Sequence, residues 1–128
     1  MLPKTILYAE DDDAQRETLT QTLATLGYEV IAAKNGRVAL ETFRDRPVDL
    51  VLSDIQMPEM SGLELLRTVR GENRSLPFIL LTGFDHPDAR DTAETYCATA
   101  YLLKPFRIAE LRQVLDSLAL PDPLVTQC

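Results

Sequence analysis

The chain has 128 residues, 45% hydrophobic and 26% charged, the size and mixture of one compact domain whose core needs neither a metal nor a disulfide to hold it. Thirteen basic against twenty acidic residues leave a net charge of -7, which opposes binding to a phosphate backbone and excludes nucleic acid as a direct partner. A single histidine rules out a His-rich metal site, no apolar run is long enough for a membrane span or signal peptide, and Cys97 and Cys128 lack zinc-ligand spacing; unbridged thiols in a reducing, cytoplasmic compartment are therefore expected.

Along the chain, short β-rich apolar runs alternate with longer segments of helical period, which predicts a parallel sheet with helices on both faces. The first run, Ile6-Leu7-Tyr8-Ala9, ends in four acids, Glu10-Asp11-Asp12-Asp13. Leu19, Leu23 and Leu26 then form a helical stripe that Gly27 should stop. The second run, residues 29–33, ends blandly in Lys34-Asn35, as an edge strand remote from a site would, and Val38, Leu40 and Phe43 make a weaker stripe after it. The third run, Leu50-Val51-Leu52, leads into Ser53-Asp54; Ser61 and Glu64 have capping-box spacing before the stripe Leu63, Leu66 and Val69, with Gly71 as the expected stop. The fourth run, residues 78–81, ends in Thr82-Gly83, and Pro87 suits the first turn of a helix over about residues 88–96 whose few large apolar groups predict thin packing. The fifth run, Tyr101-Leu102-Leu103, ends in Lys104-Pro105, and Ile108, Leu111, Leu115 and Leu118 close the series. Pro121-Asp122-Pro123 breaks that helix, so residues 1–120 read as the domain and 121–128 as a tail or the start of a linker.

In open parallel sheets, ligands sit beyond the carboxyl ends of the strands. Each group standing there has an ordinary explanation: acids suit a helix start, Asp54 a turn, Thr82 a strand end, Lys104 the surface. Their conjunction does not. Asp11 and Asp54 at about 5 Å would repel by about 3 kcal/mol at an effective dielectric of 20, and Glu10 adds to it, so a cation is required. Carboxylates with backbone carbonyls and waters suit Mg²⁺, which accepts one or two carboxylates together with a phosphate. Lys104 adds a second positive charge and Thr82 a hydroxyl donor; with an acidic nucleophile these are the parts that phosphoryl transfer needs.

These residues resemble the receiver domain of two-component response regulators, over about residues 5–118. The likeness rests on Ile6-Leu7-Tyr8-Ala9-Glu10-Asp11-Asp12, on the run from Asp49 to Gly62 that contains Ser53-Asp54-Ile55-Gln56-Met57-Pro58, on Ile79-Leu80-Leu81-Thr82-Gly83, and on Tyr101-Leu102-Leu103-Lys104-Pro105-Phe106. It implies a flavodoxin-like, doubly wound fold of five strand-helix units with sheet order 2-1-3-4-5. It also implies that Asp54 is the phosphoacceptor, that Asp11, Asp54 and the Gln56 carbonyl ligate Mg²⁺, and that Glu10 assists through a bound water. Thr82 and Lys104 would engage the phosphoryl group, Tyr101 would turn inward on activation, and Lys104-Pro105 would be cis. The surface of the fourth helix, fifth strand and fifth helix would carry the signal to a partner or output domain, with self-association on phosphorylation. The donor would be a sensor histidine kinase or a histidine phosphotransfer protein. Catalysis would be confined to the domain's own phosphorylation and dephosphorylation.

Two residues depart from the family pattern: Cys97 stands where a glycine usually ends the fourth helix, and Arg107 where a small hydroxyl residue often caps the fifth. Phe84 and Gln56 flank the acceptor and are placed to control water access. Two other readings compete. Asp11-Asp12-Asp13 contains the Asp-x-Asp spacing of haloacid-dehalogenase-like aspartyl phosphatases, although only Glu110 and Asp116 follow the lysine where that family has a further acidic pair. A receiver-fold interaction module that works without phosphorylation is the other, and the retention of Asp54, Thr82 and Lys104 together speaks against it.

Overall fold

The computed structural model describes residues 4–118. Strands and helices alternate as β1 (Thr5–Ala9), α1 (Asp13–Thr25), β2 (Glu29–Ala33), α2 (Gly36–Asp45), β3 (Leu50–Asp54), α3 (Gly62–Glu72), β4 (Phe78–Thr82), α4 (Pro87–Thr95), β5 (Ala100–Leu103) and α5 (Ile108–Leu118). The strands form one parallel sheet in the order β2-β1-β3-β4-β5. The expected doubly wound architecture is present. β3 and β4 are buried at all five positions, as central strands covered on both faces must be, whereas β2 and β5 lie at the edges and are partly exposed.

Because successive side chains of a strand point to opposite faces, each strand feeds two cores. Ile6, Tyr8, Leu50, Leu52, Ile79 and Leu81 pack with Leu19, Leu23, Leu111 and Leu115 of α1 and α5. Leu7, Ala9, Val51, Phe78 and Leu80 pack with Leu40, Leu65, Leu66, Val69 and Ala93 of α2, α3 and α4. Ala93 is the one buried residue of α4, which matches the thin stripe expected of it.

The helix signals held in part. Gly27 ends α1 with φ 101°, a left-handed conformation for which glycine is suited. Ser61 and Glu64 form both bonds of a capping box, and Pro87 opens α4. Gly71 does not stop α3: the helix runs on to Glu72, and the cap is Asn73, whose side-chain oxygen accepts from the N–H groups of Ser75 at 3.0 Å and Leu76 at 2.9 Å. Arg107 makes half a box, its backbone N–H donating to Glu110 Oε1 at 3.2 Å. Cys97 does take the left-handed conformation, with φ 63°. The expectation of unbridged thiols is corrected, since Cys97 is disulfide-bonded. A core of this size makes a bridge unnecessary for folding, which is a statement about energy and does not prevent one. The tail assigned to residues 121–128 lies outside the described residues.

Arg70 ties the ends of α3 and α4 to the entry of β4. Its half-buried guanidinium donates to the carbonyls of Leu76 at 2.7 Å, Cys97 at 2.9 Å, Asn73 at 3.2 Å and Tyr96 at 3.2 Å. A lysine cannot reproduce that fork. Arg70→Lys is expected to lower stability by about 2 kcal/mol, read as an earlier urea midpoint at unchanged slope; an unshifted midpoint would show the bonds to be dispensable.

Candidate functional site

The sheet register brings the strand ends level: Ala9 pairs with Ser53, Asp54 with Leu81, and Thr82 with Leu103. The next residues, Glu10 at the tip of adjacent β1 and Lys104 at the tip of β5 two strands away, therefore approach Asp54 from opposite sides. Period-two alternation puts Glu10, Asp54 and Lys104 in phase with the α1/α5 face, and Thr82 and Tyr101 in phase with the α2–α4 face.

Glu10, Asp11 and Asp54 each present one oxygen such that the three lie within 4.8 Å of one another. Asp11 is exposed, whereas Glu10 is 1% and Asp54 9% exposed. The run of acids after β1 divides its labour. Asp12 caps α1, accepting from the Gln15 N–H at 2.9 Å, and Asp13 pairs with Arg16 at 2.5 Å in the first turn, so only Glu10 and Asp11 of the four join the cluster. The ordinary reading of Asp11 to Asp13 as a helix start accounts for Asp12 and Asp13 and leaves Asp11 in the cluster, while Glu10 Oε2 also accepts from the Asp12 N–H at 3.3 Å. Asp13 also stands apart from the site, which removes the Asp-x-Asp pair that the phosphatase reading needs.

Lys104 Nζ lies 2.8 Å from Glu10 Oε1 and 3.3 Å from Asp54 Oδ1, and donates to Gln15 Oε1 at 2.8 Å. Burial alone would lower the lysine's pKa, but hydrogen bonding to Glu10 and the charge of Asp54 outweigh it and raise the value. Asp54 is pushed up to about 6, by burial first and then by Glu10, despite the opposing pull of Lys104. One ammonium therefore does not neutralise three carboxylates. The donor set is hard oxygen, as a divalent cation of the Mg²⁺ kind requires, and the residues fit such an ion.

Thr82 is 2% exposed, and its hydroxyl is engaged within its own loop: it donates to the Phe84 carbonyl at 2.9 Å and accepts from the Phe84 N–H at 3.0 Å. The backbone joins it to the lysine strand, since Lys104 N donates to Thr82 O at 2.7 Å. The Lys104-Pro105 bond is cis. Tyr101 is half-buried in the α2–α4 core with the Arg90 guanidinium 4.8 Å above its ring, and burial, then the charge of Asp85, raises its pKa. Gln56 is the second residue of the loop after β3 and has its side chain exposed, and Phe84 is 59% exposed and stacked on His86.

Sequence reasoning missed two residues. Gln15 stands three positions after the Asp12 N-cap of α1, a place from which a side chain can reach back over the helix start to the same rim. Tyr8 is buried beneath the acids, and burial together with Glu10 holds its hydroxyl protonated. As the residue two before Glu10 on β1 it shares that acid's face.

The model of the response regulator receiver domain family matches residues 6–116. The regulatory protein AtoC of Escherichia coli is 37% identical over 111 residues, which are 87% of this chain and 24% of AtoC. The response regulator MprA of Mycobacterium leprae is 43% identical over 107 residues, 83% of this chain and 46% of MprA. The chain thus spans about a quarter to a half of the length of the curated relatives it matches. Among solved structures, the chemotaxis protein CheY4 of Vibrio cholerae has a TM-score of 0.84 at 31% identity, covering 90% of this chain and 98% of CheY4. The response regulator TrrA of Thermotoga maritima, solved in complex with Mg²⁺-BeF, has a TM-score of 0.83 at 36% identity with the same coverage. An acid cluster at the tips of β1 and β3, a lysine beside it and a match across nearly all the described residues have one common account: the chain belongs to the response regulator receiver domains of two-component signalling.

Proposed function

We propose that this domain accepts a phosphoryl group on Asp54 from a phosphohistidine donor and passes the change to a partner through α4, β5 and α5. The observation that carries the reading is the Asp54 carboxylate at a strand tip, 3.3 Å from Lys104 Nζ and in a shared cluster with Glu10 and Asp11. An Asp54 oxygen attacks phosphorus in line, the bond from phosphorus to the donor imidazole breaks, and the imidazole leaves. Lys104, already in place, stabilises the charge that gathers on the phosphoryl oxygens. Asp11, Asp54 and the Gln56 carbonyl would hold Mg²⁺, with Glu10 acting through a water; the ion supplies charge neutralisation when bound. The new phosphoryl group gives the Thr82 hydroxyl a stronger acceptor than the Phe84 carbonyl, and leaving that turn frees space towards Tyr101. The donor is a sensor histidine kinase or a histidine phosphotransfer protein in the cytoplasm, and the receiver of the signal is a downstream protein, an output domain or a second copy. The domain is its own catalyst for phosphorylation and dephosphorylation.

Incubation with acetyl phosphate and Mg²⁺ is expected to add one phosphoryl mass to the wild-type protein and none to Asp54→Ala, with borohydride trapping mapping the acyl phosphate to residue 54. Equal labelling of both proteins would overturn the assignment, and a label on Asp11 would support the phosphatase chemistry instead.

A further inference from the structure

We infer that the hydrogen bond between Asn35 and Glu59 is a strut that sets the acceptor loop, residues 55–61, for divalent-cation binding, which makes both side chains positioning residues for the site. The inference rests on the reading above, in which this loop carries the Gln56 carbonyl to the ion. The base of the loop is pinned by backbone bonds, Ile55 N to Leu81 O at 2.9 Å and Gly62 N to Ile55 O at 2.8 Å. On its far side the one backbone bond is local, Met60 N to Pro58 O at 2.7 Å, and it closes a turn on Glu59 without tying it to the rest of the fold; Glu59 sits at φ 67°, a left-handed conformation that a non-glycine residue keeps only when its surroundings hold it there.

What ties that turn to the fold is the start of α2. Glu59 Oε2 accepts from Asn35 Nδ2 at 2.7 Å, and Oε1 faces Arg37 Nε at 3.4 Å. Asn35 is 4% exposed, and its other side-chain atom, Oδ1, is committed to capping α2 by accepting from Val38 N at 2.8 Å. The cap thereby fixes the orientation of the amide and aims its N–H group at the loop. Aspartate would cap the helix as well as asparagine does, yet only asparagine offers a donor on the opposite side. The start of α2 and the loop are also in direct backbone contact, because a Cβ on Gly36 would fall 2.2 Å from the Met60 carbonyl oxygen. The strut is short and anchored in a buried helix start. Without it Glu59 is free to leave the left-handed region, and only Met57 and Pro58 separate that rotation from Gln56.

Calorimetric titration of the 128-residue chain with Mg²⁺ separates a strut from a charge effect. Asn35→Asp sets two carboxylates face to face and breaks the bond while adding negative charge. Electrostatics alone would tighten Mg²⁺ binding, whereas loss of the strut should weaken it roughly tenfold, the lower end of what outer-shell partners contribute. The double variant Asn35→Asp/Glu59→Gln reverses donor and acceptor at the wild-type net charge, and its affinity should return to within about twofold of wild type. If Asn35→Asp fails to fold by circular dichroism, Glu59→Ala and Glu59→Gln replace it: they carry the same charge, and only the glutamine keeps an acceptor for Asn35, so the alanine should bind more weakly. A purely structural role would move melting temperatures and leave the Mg²⁺ affinity of the folded variants unchanged, which overturns the strut alone. Absence of Mg²⁺ binding by wild type would overturn the reading on which it rests, and the strut with it.

Discussion

In a chelating buffer at about pH 7.5, Asp54→Asn is expected to melt roughly 5–10 °C above the wild-type protein. The fold holds three carboxylates with mutually close oxygens, two of them buried, against one lysine. Asp54 consequently binds its proton more tightly in the folded chain, to about 6 against an ordinary 3.8, with burial the leading cause and Glu10 the next. A carboxyl whose folded pKa is raised contributes stability below its unfolded pKa and loses it as pH rises through the folded value. Wild type should therefore lose on the order of 2 kcal/mol between about pH 4 and 7 from this group, a loss that asparagine, which does not ionise, is spared. Melting both proteins across that range in EDTA checks the sign: the curves should meet near the acid end and separate towards neutrality. Saturating Mg²⁺ should close the gap by stabilising wild type alone. Equal melting at neutral pH would mean that the cluster stores no repulsion.

The second large effect is steric. A Cβ on Gly62 would lie 2.2 Å from the carbonyl oxygen of Asp54 and 3.0 Å from its carbonyl carbon, and since these are backbone atoms the neighbour cannot swing aside. Gly62→Ala should cost about 3 kcal/mol or more, the upper range for overpacking, and should displace the Asp54 peptide. The matched control is Gly71→Ala, where nothing lies within 4 Å and α3 is uninterrupted; alanine there should stabilise by about 0.5–1 kcal/mol. Denaturant titration of the pair should give changes of opposite sign. A Gly62→Ala protein as stable as wild type would show that the start of α3 can retreat from β3.

Much of the fold was legible because its signals are local and repeated. Alternation of β-rich runs with helical stripes marks the strand-helix units, and chemistry-bearing residues at the ends of four of the five runs mark the site edge. What could not be read is how neighbours share partners. Four consecutive acids look alike in sequence, yet Asp12 and Asp13 are taken by the start of α1 while Glu10 and Asp11 face the cluster. Gln15 carries no charge and breaks no pattern, so nothing marked it as a partner of Lys104. Gly71 offered the expected stop for α3, but the Asn73 carboxamide, bonding two N–H groups beyond it, set the end two residues later. Thr82 was legible as a hydroxyl at a strand end, and its engagement with Phe84 depends on a turn that the sequence does not specify.

The division of labour between the two sheet faces has an evolutionary consequence. Glu10, Asp54 and Lys104 run in phase with the α1/α5 layer, and Thr82 and Tyr101 with the layer under α4, so the sheet acts as a bulkhead that parts the charged cluster from the hydroxyl pair. Amino-acid replacements in the packing under α4 can accumulate on one wall while the carboxylates and the lysine on the other keep their surroundings. At the strand tips the two compartments touch, where a 2.7 Å bond joins Lys104 to Thr82.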